Sequence, residues 1–365
     1  MSNSEELYEF IKNLREKGIS TYYSTFSNEA FKFGAKPLFT EVPDSLSVSS
    51  YWDYEDCVEA LNGLTKYVSV EEAERRAIHL INPGLKDTFL GNSGILSTLY
   101  GGFQMIKPGD RAPSHRHTPA NFRFIMQAPN EGAFTIINGY KIELHEGDLS
   151  AQIPWVWHEH KNEGNSDLVW FSGLDAPLIS YLGAMFYSHP HNNEENFKTI
   201  LSGEDSSLLN GSGFKSVFED RSRIPDFKSS QNPLVYYPYK RTDSALNRLL
   251  EISKNNEPVS VEYENPTNGG SIFNSISLRL LRFKKDAKAS NKRITENSVF
   301  TMFSGELEFE VEGLSGIIKA NKGDVIAIPP WKKYTIVNNE KQNATVLNYS
   351  DAPIFNFLGL YREEN

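Results

Sequence analysis

The stretch from Gly109 to His160, which opens with Gly109-Asp110-Arg111-Ala112-Pro113-Ser114-His115-Arg116-His117 and closes with Gly147-Asp148 and then Ile153-Pro154-Trp155-Val156-Trp157-His158-Glu159-His160, holds five of the eight histidines of this chain, His145 among them. Even scattering would place about one there. Residues two apart on a β-strand point to the same face, so His115 and His117 can aim both imidazoles at one point inside a sheet. A third ligand has to arrive from another strand. His158 is the candidate, because it follows the turn at Glu146-Gly147-Asp148 and the aromatic, β-prone residues Trp155 to Trp157. Three histidines leave coordination positions open, which suits ferrous iron that takes both a substrate and oxygen. Zinc with three histidines and a water, a hydrolytic site, is the competing reading.

This two-part pattern resembles the cupin signature. Gly109 precedes His115 by six residues, and Asn162 lies four beyond His158. The resemblance implies a small antiparallel β-barrel with the metal in its mouth. Many cupins add a glutamate ligand shortly after His-x-His, but Thr118-Pro119-Ala120-Asn121-Phe122-Arg123 offers no acid.

Composition narrows the partners. The 365 residues carry a formal charge of −10 and a single cysteine, Cys57. That charge repels nucleic acid and anionic lipid, and one cysteine excludes an internal disulfide and fits a reducing compartment. The acidic start Met1-Ser2-Asn3-Ser4-Glu5-Glu6 lacks the order of a signal peptide, and no apolar run reaches membrane-spanning length. A cytoplasmic protein without nucleic-acid or membrane partners is expected.

The chain divides by pattern into an N-terminal helical region over 1–85, a metal-bearing barrel over 86–187, a connector over 188–270 and a second barrel over 271–365. The fold class is mainly β, with two barrels and N-terminal and connecting helices. Leu7, Phe10, Ile11 and Leu14 mark a docking helix over 5–19, and Tyr54 to Tyr67 reads as a second helix. Ser69-Val70-Glu71-Glu72 is a capping box that predicts a third, through about Leu80. In the connector, Ser202 to Ser212 reads as a loop and Thr242 as the cap of a helix with Ala245, Leu246, Leu249, Leu250 and Ile252 on one face.

An internal repeat carries the second barrel. Gly147-Asp148 recurs as Gly323-Asp324, Pro154-Trp155 as Pro330-Trp331, Asp175-Ala176-Pro177 as Asp351-Ala352-Pro353 and Leu182-Gly183 as Leu358-Gly359, always 176 residues on. The chemistry is not repeated. Lys292-Arg293-Ile294 stands where His115-Arg116-His117 stands, with one residue of gap, and Tyr334 replaces His158. An ammonium and an alkyl chain offer no lone pair, so one metal per chain is expected.

Helical region, metal-bearing cupin, connector and second cupin together resemble the gentisate 1,2-dioxygenase family, which includes salicylate and 1-hydroxy-2-naphthoate cleaving relatives. The resemblance runs from about Asn82 to Leu360. It rests on His115-Arg116-His117-Thr118 with Arg123-Phe124-Ile125, on Trp155 to His160, on Gly173-Leu174-Asp175-Ala176-Pro177-Leu178 and on Asn265-Pro266-Thr267 with Gly269-Gly270. It implies a bicupin that uses Fe(II) and O2 to open gentisate to maleylpyruvate, between the carboxylate- and hydroxyl-bearing carbons. Salicylate, a substituted salicylate or 1-hydroxy-2-naphthoate is the alternative substrate. The resemblance also implies a homo-oligomer, with a tetramer possible for the family.

Residue by residue, it places the metal on His115, His117 and His158, with Gln104, Tyr100, Asp175 and Ser172 around the substrate and Arg123 and His160 as catalytic residues. Arg123 also shares strand parity with His117, so its guanidinium can meet a substrate carboxylate. Ser172 stands where the family usually has an aspartate, which weakens handling of a ring 5-hydroxyl. His145 reads as a loop residue, and His189 and His191 as surface residues. Remoter alternatives are a non-enzymatic binding bicupin and a zinc or manganese isomerase or decarboxylase.

Overall fold

Backbone hydrogen bonding organises the described residues from Ser45 onward as two antiparallel barrels joined along a shared apolar core. The computed structural model describes residues 3–33, 37–69, 76–91, 94–137, 139–190 and 236–364. Residues up to Asp44 form a separate compact unit, with helix Asn3–Glu16 and the short helices Tyr22–Thr25 and Asn28–Phe33. Among the described residues, no helix is long and apolar enough to cross a membrane.

The first barrel has a six-stranded sheet in the order Tyr236–Tyr237, Leu149–Gln152, Asn121–Gln127, Leu168–Leu174, Tyr100–Ile106, Arg76–His79. Facing it is the order Tyr187–Ser188, Arg111–His117, His158–Asn162, Ala133–Ile137, Tyr140–Glu143. The second barrel repeats the plan. One sheet runs Ser50–Trp52, Val325–Ile328, Ser298–Ser304, Ala344–Ser350, Ser277–Phe283, Val259–Glu262; the other runs Lys288–Ser290, Tyr334–Val337, Leu307–Val311, Ile317–Ala320. This is the mainly β bicupin that the sequence implies.

Each barrel borrows its outer strand from the other half of the chain. Ser50–Trp52, far ahead of the first barrel, pairs with Val325–Ile328 of the second. Tyr236–Tyr237, from the connector, pairs with Leu149–Gln152 of the first. A buried carboxylate fixes each exchange. Asp324 accepts from the Tyr54 amide at 2.9 Å and the Tyr51 hydroxyl at 3.2 Å, while Asp148 accepts from the Tyr239 amide at 2.8 Å and the Tyr236 hydroxyl at 2.9 Å. The adjoining glycines make room: a Cβ on Gly323 would fall 2.1 Å from the Tyr54 ring, and one on Gly147 2.5 Å from that of Tyr239. The repeated Gly-Asp pairs are therefore the seats of two exchanged strand-helix segments.

Those segments lead into helices Tyr54–Tyr67 and Tyr239–Ile252. The first matches the expected bounds, with Asp53 capping the Glu55 amide at 2.7 Å. The second begins three residues before the Thr242 cap expected from sequence. Its first amide is capped by Asp148 from the other half of the chain, which no local pattern could reveal. The expected third helix also needs correction, so the N-terminal region is not purely helical. Residues 70–75 lie outside the described residues, but Arg76–His79 is a strand paired with Tyr100–Ile106. Pairing with a buried strand outranks a capping preference, because it satisfies a whole row of backbone groups. The loop expected over Ser202 to Ser212 lies outside the described residues.

The two six-stranded sheets pack face to face. Phe103, Phe122, Phe124 and Phe171 of the first barrel share the central core with Leu278, Leu280, Leu347 and Tyr349 of the second. Asp175 and Asp351 clamp this interface symmetrically. Asp175 accepts from the Ala120 amide at 2.9 Å and from Ser275 across the interface; Asp351 accepts from the Asn297 amide at 2.8 Å and from Thr98. Replacing Asp324 with alanine leaves the Tyr54 amide without its acceptor and should lower unfolding free energy by about 1.5–3 kcal/mol in urea titration, with Asp148→Ala matching it. A change within about 0.5 kcal/mol in both would show that the exchanged segments are held by packing alone.

Candidate metal centre

Strand Arg111–His117 carries Pro113, His115 and His117 at alternate positions. The register to strand His158–Asn162 shifts between Ala112 and His115, which brings His115 directly opposite His158. Proline at the irregularity has no amide hydrogen to leave unpaired. The result is a triad of buried histidines whose ligating nitrogens lie within 4.8 Å of one another. Ring centroids are 4.2 Å apart for His115 and His158, 5.0 Å for His117 and His158, and 5.9 Å for His115 and His117.

Each ring is oriented by a nearby backbone carbonyl. Nδ1 of His115 lies 2.8 Å from the Pro113 oxygen, Nδ1 of His117 2.9 Å from that of Pro119, and Nδ1 of His158 2.9 Å from that of Val156. A carbonyl can only accept, so each Nδ1 carries the proton and each Nε2 keeps its lone pair. Nε2 of His158 is buried with no hydrogen-bond partner. Burial, reinforced by the neighbouring His115, Arg123, His117 and His160, holds this imidazole well below its ordinary pKa. Three neutral nitrogen donors aimed at one point, one of them buried and otherwise unsatisfied, fit a divalent transition metal.

The opposite sheet supplies the polar lining. Its register sets Ser150, Arg123, Ser172, Gly102 and His79 in one row across five strands, on the face away from the central core. Arg123 is 1% exposed, donates to Gln152 Oε1, and stands 5.6 Å from the Trp170 ring. The Trp170 indole donates to Gln104 Oε1 and to Ser172 Oγ, both at 3.1 Å. His160 is fully buried, with its ring 5.8 Å from His158 and 5.1 Å from Trp170. The Tyr100 hydroxyl lies 2.8 Å from where a Gly102 Cβ would be, and its ring meets His79 edge-on at 5.1 Å.

Most residues singled out from sequence therefore converge: His115, His117, His158, His160, Arg123, Gln104, Tyr100 and Ser172 all line the first barrel. Asp175 does not join them. Both its oxygens are engaged at the barrel interface, and Asp351 holds the same post beside a barrel without the histidines, so its place is structural. His145 lies on an exposed turn, and His189 is exposed but packs on Tyr187, which stacks on His115 at 5.7 Å. His191 lies outside the described residues.

Sequence reading missed His79, Gln152, Trp170 and Tyr187. Trp170 was within reach, since it shares parity with Ser172. His79 was hidden by the helical reading of its strand.

In the second barrel, Lys292 is exposed and faces Glu363 at 3.7 Å, while the Trp331 amide bonds to the Ile294 oxygen as that of Trp155 does to His117. Both tryptophans have φ of 66°, so this strained turn belongs to the repeat and not to the metal site.

Residues 102–174 match the cupin domain family. The chain is 30% identical over 332 residues to gentisate 1,2-dioxygenase 1 of Aquipseudomonas alcaligenes, covering 89% of each chain. It is 28% identical to the 1-hydroxy-2-naphthoate 1,2-dioxygenase of Nocardioides sp. strain KP7, covering 88% of this chain and 80% of that protein. The crystal structure of salicylate 1,2-dioxygenase from Pseudoaminobacter salicylatoxidans with gentisate superposes with a TM-score of 0.83 at 23% identity, over 100% of this chain and 95% of that one. With a two-barrel fold and, among the described residues, a histidine triad able to hold a metal in the first barrel alone, this chain belongs to the gentisate 1,2-dioxygenase family of ring-cleaving oxidoreductases.

Proposed function

We propose that this dioxygenase uses one Fe(II) per chain and opens a 2-hydroxybenzoate between its carboxylate- and hydroxyl-bearing carbons, with gentisate as the first substrate to test. The observation that carries the reading is the pairing of three neutral, carbonyl-oriented histidines with a buried arginine on the opposing sheet. Iron fits the donor set and the chemistry: bound Fe(II) supplies the one-electron reactivity that lets dioxygen attack a stable ring, where zinc has none.

The chain's own residues bind and orient. Arg123 offers a planar fork to the carboxylate, and stacking over Trp170 with a bond to Gln152 restricts its swing. Gln104 has its carbonyl committed to the Trp170 indole, so its amide hydrogens point elsewhere and can donate to a substrate oxygen. His160, buried beside the triad, is placed to hold or move the proton of the ring hydroxyl. Glycine at 102 is required by close approach, since a Cβ there would fall 2.2 Å from the Ile78 carbonyl oxygen and 2.8 Å from the Tyr100 hydroxyl.

Ser172 favours a second reading of substrate choice. It faces the same interior as Arg123 and brings a neutral hydroxyl, so a ring 5-hydroxyl gains no charged partner there. Salicylates lacking that group, and 1-hydroxy-2-naphthoate, then compete on more equal terms.

Purified protein loaded with Fe(II) should hold about one iron per chain, and His158→Ala should lose iron and at least a hundredfold of oxygen uptake while its circular dichroism melt persists. Full turnover in that metal-depleted variant would falsify the iron assignment. Arg123→Lys should keep iron yet lower kcat/KM by about tenfold to a hundredfold, because lysine retains charge but not the bidentate fork. An unchanged value would place the carboxylate elsewhere. Ser172→Asp should raise the kcat/KM ratio of gentisate over salicylate by about ten- to a hundredfold at constant iron content. Identical ratios in the two proteins would make Ser172 neutral to specificity.

A further inference from the structure

The two segments that carry the metal ligands are also joined from outside the barrel. Arg116 lies between His115 and His117 on strand Arg111–His117, so by alternation its side chain leaves on the face opposite to theirs. Its guanidinium carbon stands 4.3 Å from the ring centre of Trp155 and 4.4 Å from that of Trp157. Nε of Arg116 is buried without a hydrogen-bond partner, so what stabilises it there is the pair of aromatic faces. Trp157 directly precedes His158, and Trp155 donates its amide to the His117 oxygen at 2.7 Å. Between the two tryptophans, the Val156 carbonyl holds Nδ1 of His158 at 2.9 Å.

The second barrel supplies the comparison. Arg293 stands at the place of Arg116, and Trp331 repeats the turn of Trp155, but Lys333 occupies the place of Trp157. Ion pairs take up Arg293, with Glu364 at 2.6 Å and Glu312 at 3.0 Å, and Lys333 shares Glu364 at 2.7 Å. The first barrel has Ser188 at the place of Glu364, opposite Arg116 in register and without a carboxylate. An arginine at this post is therefore common to both barrels, and its partners differ. Acids from elsewhere in the fold hold it in the second, whereas in the first it meets two tryptophans of the segment that leads into His158.

We infer that Arg116 is a positioning residue for the metal centre, clamped between Trp155 and Trp157 so that the strand of His115 and His117 keeps a fixed spacing from the Val156 carbonyl that orients His158. This rests on the reading of the triad as a metal site. A metal ion needs the three nitrogens at one point together, and His158 arrives from a separate segment. The main-chain bond from Trp155 to His117 recurs in the second barrel between Trp331 and Ile294, so that bond is part of the frame. The stacked cation is what the first barrel adds, and it acts from the far side of the strand without touching the ion.

Anaerobic competition with a chromogenic chelator measures Fe(II) affinity in the full-length protein. Arg116→Met keeps an unbranched stem between the rings but no charge, and should weaken Fe(II) binding about tenfold to a hundredfold, the range for residues that orient ligands. Arg116→Lys keeps a cation for the rings and should recover most of that loss. Trp157→Leu should weaken binding about tenfold and Trp157→Phe should not, so this pair decides the matter if Arg116→Met fails to fold. Arg293→Met, the same change in the second barrel, should leave Fe(II) affinity at the wild-type value. A metal-free readout separates the clamp from the site reading: by NMR of nitrogen-labelled histidine, the His158 Nδ1 proton should exchange about tenfold faster in Arg116→Met than in wild type. A wild-type protein that binds no Fe(II) would defeat the metal-site reading, and the exchange rate would still judge the clamp. The inference is overturned if Arg116→Met and Trp157→Leu hold Fe(II) as tightly as wild type, if Arg293→Met weakens it equally, or if the Nδ1 proton of Arg116→Met exchanges at the wild-type rate.

Discussion

Two buried carboxylates, Asp148 and Asp324, hold together a molecule whose halves have exchanged their outer strands. Each accepts the first amide of a helix that begins in the other half of the chain, and a tyrosine hydroxyl beside it. Neither barrel completes its six-stranded sheet from its own continuous sequence. The central core and the proposed catalytic site depend on this arrangement. The sheet that carries Arg123 and Ser172 is packed from behind by the second barrel, so their rotamers rest on a rigid floor of phenylalanines and Tyr349.

The two barrels share a frame and differ in filling. Inside the second, Phe283, Phe300, Phe309, Ile326 and Val346 form an apolar cluster of their own. The first keeps its interior polar, with Arg123, Gln104, Gln152 and four histidines buried at 9% exposure or less. An apolar interior stabilises a barrel through water exclusion, whereas a polar one is stable only if its groups are mutually satisfied or await a ligand. The second barrel thus supports the first mechanically.

Carbonyl orientation of the three ligands explains why so little sequence specifies the metal site. Pro113 and Val156 each lie two residues before the histidine they hold, and Pro119 two after. The tautomer is then set by local backbone and needs no carboxylate partner. That leaves the acids of this chain for capping and interface duties, as with Asp175 and Asp351.

The sequence by itself determined the features that depend on short-range periodicity. Strand alternation set His115, His117, His158 and Arg123 facing inward, and constant spacing between Gly-Asp and Asp-Ala-Pro pairs exposed the duplicated barrel. Those inferences hold because a period of two is a property of the local backbone. Only the tertiary structure decided which half receives each outer strand, why the helix at Tyr239 starts where it does, that Asp175 bridges barrels, and that His79 joins the row of Arg123 and Ser172. Each of these rests on partners more than 20 residues away in sequence, often in the other half of the chain, and hydrogen bonds between such partners leave no periodic trace in either segment.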